Sequence, residues 1–178
     1  TFTLTGSTSN SYTFNYSLSN TTSDPLTSRV SSFAFNTDPT ISSASSTGAF
    51  SYTTLNSSYP NGIGAIDVCF KDAKTGSCSG GGSGGLLTGE TGTGTFTLNF
   101  SQPLSSLTLS DFFVRYQSID GILGVTSASG RQTSSGGSEV PAPNMLLLFG
   151  MAALAILFTR SRKKGLLNES GSPAMAFA

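Results

Sequence analysis

The chain has no histidine and no tryptophan, only two cysteines, and charge on 10% of its 178 residues. Each absence removes a class of function. Without histidine, neither a Ser-His-Asp nor a Cys-His arrangement can be built, and only carboxylate pairs are left for general acid-base work. Zinc, which wants four ligands, is short of them for the same reason. Without tryptophan, a sugar-stacking platform has only tyrosine and phenylalanine to draw on. Positive charge is also scarce: residues 1–139 carry eight acids against five bases, a net charge of −3. A phosphate backbone would find no basic face there, which excludes nucleic acid as a partner. No cofactor is expected.

What the chain does have is alternation. Phe2 and Leu4 alternate with threonines, and Tyr12, Phe14, Tyr16 and Leu18 alternate with Thr13, Asn15 and Ser17. This period of two, rich in aromatics, is the mark of a strand with one dry and one wet face. It recurs over Val30 to Phe35, Ala49 to Leu55, Ile66 to Phe70, Gly94 to Phe100 and Leu107 to Tyr116. Tyr59-Pro60-Asn61-Gly62 and Asp38-Pro39 read as turns between such runs. Phe112-Phe113 predicts a bulge or a strand covered on both faces. No helical period occurs before residue 144. The fold class expected is all-β, an antiparallel β-sandwich of jelly-roll type, with an inward aromatic face from Phe2, Phe14, Phe33, Phe50, Phe70, Phe96 and Phe113.

The organisation expected is an extracellular sandwich over 1–125, a flexible Ser/Gly-rich linker over 126–139, and a terminal signal over 140–164 holding one transmembrane helix at about 144–160. A disordered cytoplasmic tail over 165–178 completes the chain. Val140 to Thr159 contains no charged residue. Twenty helical residues at ~1.5 Å each match a hydrocarbon core of about 30 Å. Arg160, Arg162, Lys163 and Lys164 follow at once, and basic residues beyond a span stay cytoplasmic, so residues ahead of it face outward. That topology requires an export signal ahead of Thr1, expected to have been removed.

Val140-Pro141-Ala142-Pro143, a single span and a terminal basic cluster, in that order, resemble the PEP-CTERM sorting signal of Gram-negative surface proteins. The resemblance implies cutting by exosortase, a membrane protease. It also implies the lipid bilayer as a transient partner. In this chain Ala142 stands where the family has glutamate, and residues 165–178 continue past its usual end. A second resemblance rests on Ser31 to Asp38, Asp67-Val68-Cys69-Phe70, Cys78 with its glycine run, and Leu109 to Gln117, which look like cistern family PEP-CTERM proteins. It implies no biochemical activity.

Cys69 and Cys78 are close in sequence in a chain read as exported, so a disulfide is expected, with two free thiols or a metal site as the alternatives. Gly80 to Gly85 formally satisfies G-x-G-x-x-G, but no helix follows to hold a pyrophosphate, and a loose hairpin loop is the better account. Asp67, Glu90, Asp111 and Asp120 could serve a glycosidase only if two of them converged. The function expected is therefore a non-enzymatic structural or interaction role at the cell surface or in the extracellular matrix, with extracellular polysaccharide as a partner. A carbohydrate-binding or adhesive module is the alternative, and a glycan-active enzyme the third reading. Three surfaces separate them: flat and Ser/Thr-rich, an aromatic platform, or a cleft with paired carboxylates.

Overall fold

The computed structural model describes residues 1–75, 77–132 and 138–141. Ala142, Pro143, the expected span at about 144–160, the cations Arg160, Arg162, Lys163 and Lys164, and the tail 165–178 lie outside the described residues. Among the described residues, no helix is long and apolar enough to cross a membrane.

Alternation becomes strands: β1 (Phe2–Ser7), β2 (Ser11–Ser19), β3 (Thr27–Asp38), β4 (Ser43–Ser46), β5 (Tyr52–Tyr59), β6 (Gly64–Lys71), β7 (Leu86–Leu87), β8 (Thr91–Asn99), β9 (Ser106–Asp120), β10 (Ser127–Arg131) and β11 (Ser138–Pro141). They pair antiparallel into two sheets. One has the order β1-β2-β8-β4; the other runs β10-β9-β3-β6-β5, with β11 also along β9 and β7 along β3. The inner faces meet in a single core. Tyr12, Phe14, Tyr16, Phe96 and Leu98 of the smaller sheet pack against Val30, Phe33, Phe35, Val68, Phe70, Leu107 and Leu109 of the larger. This is an antiparallel β-sandwich, the arrangement in which alternating faces from two sheets share one apolar layer.

The Asn61-Gly62 turn forms as expected, with φ of 61° and 74° joining β5 to β6. At Phe112-Phe113 both alternatives hold. Between the pairs Ala34–Phe113 and Asn36–Ser110, β9 spends one residue more than β3, and Asp111 takes φ of 50° to absorb it. Phe112 then packs on the core and Phe113 on a smaller cluster across the sheet. Phe113 therefore does not belong to the inward aromatic face; Phe112 takes that place.

Two further expectations are corrected. Ala49 to Leu55 does not begin as a strand: Gly48–Phe50 forms a 3-10 turn that buries Phe50, and Tyr52 at the head of β5 is exposed. The segment after residue 125 is not all spacer. Ser127–Arg131 pairs with Gln117 to Phe113, and Ser138–Pro141 with Leu109 to Ser106. Serine and glycine carry no apolar signal, but backbone pairing along an open edge needs none. A chain ending at Pro141 should then unfold in urea in one transition. A chain ending at Val125 loses β10 and should be weaker by roughly 2 kcal/mol or more, as several ladder hydrogen bonds are lost. Equal midpoints would show that β10 adds nothing.

Candidate functional site

The outer face of the smaller sheet has a composition of its own. Its cross-strand pairs are Ser11–Asn99, Thr13–Thr97, Asn15–Thr95, Ser17–Thr93 and Ser19–Thr91, extended by Ser43–Asn99 and Ser45–Thr97 on one side and Thr3–Asn15 on the other. None of these residues is charged. Their hydroxyls and amides bond across strands: Thr13 Oγ1 lies 2.9 Å from Thr97 Oγ1, Ser19 Oγ 2.7 Å from Thr91 Oγ1, and Ser11 Oγ donates to Asn99 Oδ1 at 2.8 Å. Such ladders hold the side chains in register and leave each hydroxyl with spare donor or acceptor capacity. The signal for this face lay in the every-other-residue threonines of Thr91-Gly92-Thr93-Gly94-Thr95. The glycines between them serve the opposite side: a Cβ at Gly94 would stand 2.5 Å from the Tyr16 hydroxyl, which bonds the Thr47 carbonyl and the Phe50 amide.

The outer face of the larger sheet carries a locked loop. Between Val30 and Ser32 the register of β3 against β9 shifts by one, so Ser31 and Ser32 both turn away from the core. Ser31 Oγ donates to the Ser79 carbonyl at 2.8 Å and Ser32 Oγ to the Cys78 carbonyl at 2.7 Å. Gln117 Nε2 also donates to the Ser79 carbonyl. Lys71, buried, donates to Thr54 Oγ1 at 2.6 Å and to the Thr75 carbonyl. Arg29 Nη1 donates to the carbonyls of Ser83 and Gly84 at 2.9 and 2.7 Å. Lys71 and Arg29 were not singled out by sequence, since an isolated cation gives no pattern. In the fold they hold backbone oxygens of the same loop.

Asp72 sits inside that loop. Its Oδ1 accepts from the Gly81 amide, its Oδ2 is buried without a hydrogen bond, and burial raises its carboxyl above the usual range. The glycine run is thus not a loose hairpin but a close wrap. Gly85 has φ of 81°, and a Cβ there would stand 2.0 Å from the Val30 carbonyl oxygen. Gly85→Ala should cost about 2–3 kcal/mol, combining left-handed strain with a backbone clash. Gly82→Ala, with nothing within 4 Å, should cost far less. Equal urea midpoints for the two variants would refute the wrap.

Cys69 and Cys78 are brought together by this lock. Both are fully buried free thiols, in one cluster with Ala34, Tyr59, Ile66 and Phe113. The expected disulfide is not formed in this structure, although the thiols interact directly and Cys69 Sγ lies 3.7 Å from the Cys78 carbonyl. Burial pushes the Cys69 thiol up, and the bond to Cys78 adds to this. Beside them, burial pushes the Tyr59 hydroxyl up and the Arg115 guanidinium down. Arg115 donates to Asn61 Oδ1, at the β5–β6 turn. Desolvation favours the protonated form of Cys69, whereas the hydrogen bond with Cys69 lowers the Cys78 thiol against the opposing effect of its burial. No group of three or more potential metal ligands occurs among the described residues.

Asp67, Glu90, Asp111 and Asp120 are each engaged in holding backbone or an edge. Asp67 accepts from the Thr37 amide at 2.8 Å, Glu90 from the Leu87 amide at 2.7 Å, and Asp120 from the Gly121 amide at 2.9 Å. Asp111 pairs with Arg131. Among the described residues, the exposed large hydrophobic side chains include one aromatic, Tyr52. Of the expected processing motif, Val140 and Pro141 are described, and both are in β11 opposite Leu107 and Ser106. Their backbone is extended, as the prolines predict, but it lies along β9 rather than free.

The chain matches no protein-family model, and no curated protein is similar to it. One solved structure is similar, that of an uncharacterized protein from Nocardia farcinica described as having an immunoglobulin-like fold. It is 14% identical, with 80% of this chain and 94% of that one covered, at a TM-score of 0.40.

Proposed function

We propose that this chain is an exported bacterial surface or matrix protein, held in the inner membrane by its C-terminus with the sandwich outside the cytoplasm, then cut by exosortase near Pro141 to Pro143. The observation that carries this reading is the order of proline pair, uncharged span and basic cluster from Val140 to Lys164. The sandwich is the cargo, in the manner of the cistern family, and its role is structural or interactive rather than catalytic. An uncharged face of aligned hydroxyls and amides supports that role, and it suits a neutral, hydroxyl-rich polymer such as extracellular polysaccharide. A stacking module would need more than Tyr52, the one aromatic among the exposed large hydrophobic side chains of the described residues.

One finer point belongs to the same proposal. Once exported, Cys69 and Cys78 would join, closing a loop of about ten residues that stabilises by roughly 2–3 kcal/mol. Protein recovered from the oxidising side, alkylated without reduction and mapped by mass spectrometry, should show the two peptides linked; both thiols labelled would end that claim. The jelly-roll type expected from the sequence does not fit the pairing, since consecutive strands β2 and β3 pair with consecutive β8 and β9 in the same order, where a rolled hairpin would reverse it. The reading as a whole is tested by blotting membrane and medium from cells with and without an exosortase gene. A shortened, released product is expected only where the gene is present.

A further inference from the structure

Strand pairing sets three polar residues in one row across the outer face of the larger sheet. Ser32 of β3 stands opposite Lys71 of β6 on one side and Arg115 of β9 on the other. Paired strands lie about 4.8 Å apart, so the two cations are rooted at that distance on either side of the serine. All three residues are buried. Among the described residues the one ion pair is Arg131 with Asp111, so no carboxylate partners Lys71 or Arg115. Two cations shut away from water without an anion carry a desolvation cost that a negative group beside them would offset.

The residue held against Ser32 is Cys78. Ser32 Oγ donates to its carbonyl at 2.7 Å, and Cys69, two residues before Lys71 on the same face of β6, has its Sγ 3.7 Å from that carbonyl. The two thiols are not equivalent. Cys69 lies within β6, whose backbone pairs with Ala34 of β3 and Thr54 of β5, whereas Cys78 lies in a turn of the locked loop. Both are fully buried, so a reagent reaches either one only when the loop lifts, and lifting a loop costs less than opening a strand paired on both sides. Cys78 is then the first to be uncovered. Its hydrogen bond with Cys69 lowers its thiol, and the Lys71 charge acts in the same direction.

We propose that Cys78 is the thiol through which a small external disulfide oxidises the pair, with buried Lys71 as the positioning residue that holds its thiolate. This rests on the reading that Cys69 and Cys78 join after export. The Cys78 thiolate attacks one sulfur of the external disulfide; a new S–S bond forms on Cys78, and the other half leaves as a thiolate and takes up a proton. The Cys69 thiol then gives up its proton and its sulfur attacks that of Cys78, expelling the second half in the same way. Two cysteine thiols are oxidised to one disulfide, and one external disulfide is reduced to two thiols that carry both protons.

The test uses the full 178-residue chain in non-ionic detergent and glutathione disulfide as the probe, with adducts followed by mass spectrometry. Cys69→Ala, which leaves Cys78, should take up glutathione about tenfold faster or more at neutral pH than Cys78→Ala, which leaves Cys69. In urea the two rates should converge. Serine variants replace either alanine chain if it loses its strand signal in circular dichroism. In the Cys69→Ala background, Lys71→Met should slow the reaction and move the midpoint of its pH profile upward, and Lys71→Arg should restore both. Lys71 also bonds the Thr75 carbonyl, so its loss loosens the loop, and access alone would make the reaction faster. The direction of the change therefore separates holding a thiolate from holding the loop. Equal rates for the two single-cysteine chains, a faster Cys69, or a Lys71→Met chain at least as fast as its parent would overturn the proposal. A parent chain that keeps both thiols under the same oxidant removes the joined pair and this inference with it, whereas a parent that closes its bond by way of Cys69 overturns the inference alone.

Discussion

Phe33→Ala should destabilise the sandwich by about 3–5 kcal/mol, the range for deleting a fully packed aromatic side chain and leaving the cavity behind. Phe33 is where the two sheets meet: its ring lies 4.9 Å from Phe70, stacked, 5.4 Å from Phe50, edge-on, 5.3 Å from Tyr16 and 5.5 Å from Phe2. These partners come from β1, β2, β6 and the 3-10 turn, so no single element can shift to fill the space. Phe113→Ala, in the smaller cluster across the sheet, should cost less, because fewer rings surround it and its Tyr59 partner is one neighbour at 5.7 Å. The measurement is the urea midpoint of a chain ending at Pro141, with slopes compared to confirm that the same surface unfolds. If Phe33→Ala proved no costlier than Phe113→Ala, the core would have to lie elsewhere.

Most of this core was legible because burial and alternation are one signal. A strand must put every second side chain inward, and Tyr12, Phe14 and Tyr16, or Phe33 and Phe35, announce that face without reference to anything else. The inference failed where a residue was inserted into the count. One additional residue at Asp111 moves Phe113 to the opposite side, and the doubled serine at Ser31-Ser32 reverses parity in β3. A bulge of this kind is visible only as two adjacent residues of similar character, which the phenylalanine pair shows and the serine pair conceals.

The locked loop was hardly legible at all. Ser31, Ser32, Lys71 and Arg29 come from sites far from the 72–85 segment or bear no pattern, and what they hold is backbone carbonyl, which every residue owns. Their specificity lies in tertiary placement. The glycine run is visible in the sequence, yet its role as a wrap around Asp72 depends on a carboxylate nine residues upstream of Gly81. The cysteine pair stands between these cases: proximity followed from spacing, whereas the redox state follows from the compartment and not from the fold.

Changing Pro141 and Pro143 together to alanine should abolish release while leaving membrane insertion intact. Under the proposed reading, the span stops transfer, the cations hold orientation, and the proline pair keeps a stretch of backbone accessible at the outer interface. The structure adds a reason for proline at 141. β11 already lies along β9, with Pro141 opposite Ser106, and a proline brings no N–H to that ladder. Alanine restores the donor, so the strand is held more firmly. Without proline at 143 the helix is also free to extend toward it, because the bias away from helix at residue 142 is lifted. Either change takes the scissile stretch away from a protease that needs it extended and unpaired. Neutralising Arg160, Arg162, Lys163 and Lys164 should fail in another way, since those charges oppose passage of the chain end across the bilayer, and their loss disturbs retention and topology before any cut. In exosortase-containing cells, the proline variant should therefore accumulate at full length in the membrane fraction, and the charge variant should lose its fixed orientation to external protease. A proline variant shortened and released like the parent would reduce the C-terminus to an anchor.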